Sequence, residues 1–118
     1  MVSQHSIRLQ PPVGAHDHVR GPRSAMISLV EYGDFECPYC RAAVDIVDAL
    51  QQALGDQLSF TFRHFPMREA HPHAQHAAEV AEAAAARGHF REIHDLLFAR
   101  KNGLDDQSLV RYGAAPRC

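Results

Sequence analysis

Two cysteines separated by two residues, Cys37-Pro38-Tyr39-Cys40, stand between a short apolar run and a long amphipathic one. No other feature restricts the fold as strongly. Upstream, Ile27-Ser-Leu-Val30 reads as the buried part of a strand over 26–33. Downstream, Ala43, Ile46, Val47, Leu50 and Leu54 fall on one helical face, which predicts a helix over 38–54. Pro38 suits the first turn of that helix, because its missing N–H would have no partner there anyway, and this puts Cys37 at or near the N-cap. Gly55 is placed to end the helix in a left-handed cap.

A cysteine at a helix start carries a chemical consequence. Unpaired N–H groups and the positive end of the helix dipole favour a thiolate there. Such settings lower a thiol pKa from ~8.5 to roughly 3.5–7.5, and the thiolate is the attacking species in disulfide exchange. Cys37 is therefore the candidate nucleophile and Cys40, one turn further along, the candidate resolving thiol. Asp34 and Glu36 oppose ionisation if their carboxylates come close. The competing reading of the pair is half of a zinc site, but structural zinc takes four ligands and no second Cys-X-X-Cys is present. No metal and no organic cofactor are expected.

The run Val30-Glu-Tyr-Gly-Asp-Phe-Glu-Cys-Pro-Tyr-Cys40 resembles the active-site segment of the DsbA-like branch of the thioredoxin superfamily. Asp17-His-Val-Arg-Gly-Pro22, Phe62-Arg-His-Phe-Pro66 and the stretch from His71-Pro-His-Ala74 to His94-Asp-Leu-Leu-Phe98 are similar to the same branch, so the resemblance covers residues 16–112. It implies an α/β thioredoxin-like core with a helical insertion at about 71–112, and a thiol–disulfide oxidoreductase acting on protein or small-molecule thiols and disulfides. In the superfamily the residues between the cysteines, here Pro38 and Tyr39, influence redox poise. Some relatives of this kind stand alone and others are fused to sodium/proton antiporters. Members normally continue past the insertion into a cis-proline loop, a two-stranded hairpin and a last helix. Nothing after Val110-Arg-Tyr112 corresponds to those parts, and Pro66 follows the second strand rather than the insertion, so a partial fold is expected. Two other readings compete: a glutathione-dependent glutaredoxin, since Pro-Tyr is also the pair of many glutaredoxins, and a fragment of little activity that associates through an open sheet edge.

The rest of the chain fits one domain. Its 118 residues allow a modest core, and 46% apolar with 22% charged residues is ordinary for a globular protein. A net charge of −2 is no attraction for nucleic acid or an anionic membrane. No apolar run reaches the length of about 18 residues that a membrane span needs. The first residues lack the apolar core of a secretory signal, so the cytoplasm is the expected location, where such a cysteine pair is catalytic rather than a staple.

Residues 1–25, with Pro11-Pro12, Gly14 and Gly21-Pro22, read as an irregular leader, with Ser6–Leu9 a weak edge-strand candidate. Leu58, Phe60 and Phe62 alternate with Ser59, Thr61 and Arg63, which predicts a second strand with one buried face and a parallel βαβ unit. A two-stranded sheet has open edges that invite a second copy, unless residues 5–10 or 14–20 cover the first strand. Pro72–Arg87 is an alanine-rich helix with Ala74, Ala77, Ala78, Ala81 and Ala85 on one face, ended by Gly88. Phe90, Ile93, Leu96 and Leu97 mark another helix to Arg100, broken by Asn102-Gly103, and Asp105-Asp106 opens a short one through Tyr112. The domain is thus 26–112, followed by a tail, 113–118, that ends in the free thiol of Cys118. Among nine histidines, His71, His73 and His76 read as exposed residues at a helix start, His64 as lying toward the active end of the sheet, and His94 as partly buried and hydrogen-bonded.

Overall fold

The computed structural model describes residues 9–99 and 104–114, with side chains as far as Arg111 in the last of these. Its strands are β1 (His18–Arg20), β2 (Ile27–Gly33) and β3 (Leu58–His64), in the sheet order β1-β3-β2. Helix α1 (Pro38–Leu54) connects β2 to β3, and a short 3-10 turn over Gly55–Gln57 completes the crossover. As the alternating pattern requires, β2 and β3 are parallel, in a register running from Ile27 opposite Leu58 to Gly33 opposite His64. That brings the carboxyl ends of both strands together beneath the start of α1. Gly55 ends α1 with φ 54° and ψ −127°. The positive φ is the one expected of a glycine cap, but its ψ is not that of a left-handed helical residue.

The leader differs from expectation. Within it lies β1, antiparallel to β3, with His18 opposite Phe62 and Arg20 opposite Phe60. The strand is held from both sides of its sequence, by Asp17 paired with Arg63 and Arg20 paired with Asp48. β3 is consequently the central strand. Ser59 and Thr61 are buried along with Leu58, Phe60 and Phe62, so the expectation of one buried face is corrected to two. Residues 18–20 do not cover the free edge of β2 as the sequence allowed, because they pair with the opposite side of β3. Among the described residues that outer edge of β2 has no strand partner.

Helices α2 (Ala74–Ala85), α3 (Phe90–Ala99) and α4 (Asp106–Ala114) form the helical region. The buried stripe of α2 is Ala74, Ala77, Ala78, Ala81 and Ala84. Ala84, not Ala85, continues it, since the 3.6-residue period carries the face from position 81 to 84 or 85 and packing selects between them. Gly88, at φ 79°, turns the chain after α2. Asp105 caps α4, accepting the Ser108 N–H at 3.1 Å. Phe35, Phe60, Phe62, Ile93, Leu97 and Phe98 meet the alanine stripe in one core. Helix α4 runs two residues past the expected Tyr112, into the first part of the expected tail. Ser6–Arg8, Arg100, Asn102-Gly103 and residues 115–118 with Cys118 lie outside the described residues.

Candidate active site

Strand β2 ends at Gly33, where a side chain is impossible because a Cβ would collide with the ring of Phe62. The chain then turns through Asp34, Phe35 and Glu36 into α1. Phe35 is the anchor of this turn, 1% exposed and packed 4.7 Å from Phe98 and 5.4 Å from Phe62 between ring centroids. Cys37 is the N-cap residue, with φ −77° and ψ 122°, and Pro38 is the first helical residue, as the sequence predicts. The Cys37 N–H donates to the Asp34 carbonyl at 3.0 Å, and its own carbonyl accepts the Arg41 N–H at 3.1 Å. Cys37 and Cys40 are both free thiols. Tyr39 projects outward, 85% exposed.

Depth along the helix and depth from solvent do not coincide. Cys40 lies one turn in, yet Cys37 is the buried residue, at 8% exposure, and Cys40 is only half-buried. The Cys40 thiol is nevertheless pushed up to about 11, first by burial and then by Cys37 and Glu31, against the pull of the Asp34 backbone N–H. At neutral pH Cys40 is thus a protonated thiol. Beneath it sits Glu31, on β2. Burial raises the Glu31 pKa, a hydrogen bond with Cys40 counteracts part of that, and its Oε2 is buried without a hydrogen-bond partner. Sequence reasoning passed over Glu31. The available signal was a carboxylate continuing an apolar strand run, Ile27–Val30, where a charge has no reason to be unless it has a task.

Asp34 and Glu36, expected to oppose a thiolate, are engaged elsewhere. Asp34 is 2% exposed and accepts from the Glu36 N–H, the Met67 N–H and His71 Nδ1 at 2.8, 2.9 and 2.8 Å. Glu36 accepts the His73 N–H at 2.6 Å. Both carboxylates therefore fasten the turn before Cys37 to the segment that leads into α2. The histidines of that segment separate: His71 bonds Asp34, while His76 faces Asp106 at 2.8 Å. His71 is thus a part-buried partner of Asp34, not the exposed residue the sequence suggested. His64 contacts Glu82 rather than the cysteines, at 2.8 Å. His94 is buried against Phe35, Phe62 and Phe98 with Nδ1 on Asp95, in line with expectation, and burial lowers its pKa.

With this geometry in hand, comparison with known proteins is specific. A family model described as Thioredoxin matches residues 14–111. The chain is 49% identical over 113 residues to the Na(+)/H(+) antiporter NhaA 3 of Salinispora tropica, covering 93% of this chain and 17% of that protein. It is 44% identical over 107 residues to the Na(+)/H(+) antiporter NhaA of Herminiimonas arsenicoxydans, covering 90% of this chain and 17% of that protein. The chain thus spans less than a fifth of these curated relatives. Among solved structures, a thioredoxin-like oxidoreductase from Silicibacter pomeroyi superposes with a TM-score of 0.74 at 26% identity, over 81% of this chain and 54% of the other. Pseudomonas aeruginosa DsbA2 superposes with a TM-score of 0.67 at 22% identity, over 86% of this chain and 65% of the other.

Proposed function

Because the chain belongs to the thioredoxin family, with a DsbA-like fold, and presents two free thiols at the start of its first helix, we propose that it exchanges disulfides through Cys37 and Cys40. The observation that carries this reading is Cys37 as N-cap of α1, directly before Pro38, with a Cys40 thiol that stays protonated at neutral pH. One at the cap and one a turn along, the two sulfurs are placed for different tasks. The Cys37 thiolate attacks a substrate disulfide, forming a Cys37–substrate bond and expelling one substrate thiolate. The Cys40 thiol passes its proton to the Glu31 carboxylate and attacks the Cys37 sulfur. The second substrate thiolate leaves, and two electrons have moved from the dithiol to the substrate. Of the two substrate thiolates, one takes up the proton now on Glu31 and the other a proton from water, which balances the one Cys37 released on ionising. Run in reverse, the same steps oxidise a substrate dithiol.

Exposed Tyr39, Phe65 and Met67 give the carboxyl end of the sheet an apolar surface suited to a protein substrate. Among the described residues no helix is long and apolar enough to cross a membrane. Reduction of a peptide disulfide by the dithiol form tests the reading. Cys37→Ser is expected to abolish turnover, and Cys40→Ser to trap a mixed disulfide detectable by mass. Undiminished turnover in both variants rules the mechanism out, and efficient turnover only of glutathione mixed disulfides points to a glutaredoxin instead. A second reading, association through a sheet edge, is favoured by one observation, the unpaired outer edge of β2.

A further inference from the structure

Away from the cysteines, three elements bring metal-binding side chains to one point. His18 lies on β1, His64 is the last residue of β3, and Glu82 is on α2. Both imidazoles direct Nε2 at the same oxygen, Glu82 Oε2, at 2.5 Å for His18 and 2.8 Å for His64. One ligand atom from each residue lies within 4.8 Å of the others.

The rings are held by aromatic packing. His18 stacks on Phe90 at 3.7 Å between centroids and 3° between planes, and His64 stands edge-on to Phe62 at 5.6 Å. The carboxylate has freedom, since the Glu82 side chain is 52% exposed while those of His18 and His64 are 21% and 19% exposed. No Lys or Arg is paired with Glu82 among the described residues. The nearest acid of the same wall, Asp17, is taken by Arg63 at 2.9 and 3.0 Å. Beyond the three ligands opens a cavity of about 530 Å³, whose wall they share with His16 and Tyr32.

We propose that His18, His64 and Glu82 form a binding site for a divalent transition-metal ion, of the zinc class, with its remaining coordination open to the cavity. Two imidazoles and a carboxylate are a donor set that zinc accepts, with bond lengths of roughly 2.0–2.2 Å. Tetrahedral ligands at that length sit about 3.3 Å apart, so seating the ion requires the carboxylate oxygen to withdraw from both rings, by about 0.5–0.8 Å. The exposed Glu82 side chain can make that movement. The ion would tie β1 and α2 to the end of β3, a fastening separate from the disulfide chemistry.

The test uses the full chain carrying Cys37→Ser, Cys40→Ser and Cys118→Ser, so that thiolates cannot compete, titrated with Zn²⁺ alone in a calorimeter near pH 7.5. One equivalent is expected to bind, with affinity at least tenfold weaker in Glu82→Gln and in His18→Gln. Because an altered fold could also weaken binding, NMR of the chain with all three ligands intact supplies an independent reading. Zn²⁺ is expected to shift the imidazole signals of His18 and His64 while leaving those of His71, His76 and His89 in place. Absence of saturable binding, unchanged affinity in either variant, or shifts confined to the other histidines overturns the proposal.

Discussion

Glu31 and Cys40 are chemically one unit. Burial holds the carboxyl above its ordinary value of 4.5, and the Cys40 thiol bonded to it is pushed up to about 11, first by its own burial. A folded state that binds the Glu31 proton more tightly than the unfolded chain is favoured at low pH, and the advantage is lost as pH rises through the folded pKa. Glu31→Gln removes the cost of burying the ionised group, so the variant should melt above the parent at pH 8 and equal it below pH 4. Its chemistry should move the other way. With no acceptor for the Cys40 proton, resolution of the mixed disulfide is expected to slow by about a hundredfold, the low end of what a positioned proton acceptor supplies. Thermal melts across pH and stopped-flow release of a trapped substrate thiol measure the two effects. A variant less stable at pH 8 and equally fast would remove Glu31 from the mechanism.

At the scale of elements, β1 depends on side chains more than on length. Three residues give few ladder bonds, and the fork of Arg63 on Asp17 supplies the anchor. Arg63 holds the Asp17 pKa at about 2, below its ordinary 3.8, so the stabilisation is present above that ordinary value and disappears as pH falls toward 2. Asp17→Asn should cost about 1 kcal/mol at pH 7, discounted for solvent screening, and only a small fraction of that at pH 2, by urea unfolding. The turn after β2 is less forgiving. Gly33→Ala must displace the Phe62 ring from the core and should cost about 1–3 kcal/mol or more, as overpacking does. These features also explain what the sequence could disclose. The β2–α1–β3 order was legible because its apolar periods are long, and the N-cap position of Cys37 because Pro38 marks the first helical residue. The buried faces were not: Ile27, in a run expected to be buried, is 43% exposed, and of the expected α1 face Ile46 and Leu50 are 62% and 39% exposed while Val47 is buried. β1 was not legible, since a three-residue strand has no measurable period and its partner is 40 positions away in the pairing of Arg20 with Phe60. Ala84 and the His18–His64–Glu82 cluster were invisible for a related reason: each is defined by what packs against it from elsewhere in the chain.

For the molecule as a whole, the unequal finish of the two sides of the sheet matters most. One side is closed by β1, while the other leaves the N–H and C=O groups of β2 without a strand partner among the described residues. Apolar side chains accompany that edge, with Met26 at 89% and Ile27 at 43% exposure. An open edge of this kind can continue its ladder on a second copy and cover those side chains in doing so. The isolated chain is therefore expected to self-associate, its sedimentation coefficient rising with concentration through the micromolar range. A lysine at an edge strand resists such pairing. Ile27→Lys should weaken association by at least tenfold, an effect of about 1.4 kcal/mol. The same variant should exchange disulfides at the parent rate, because Ile27 begins β2 and the cysteines follow its far end. A chain that sediments as a monomer at every concentration, with or without the lysine, would mean that the edge is not an interface between copies.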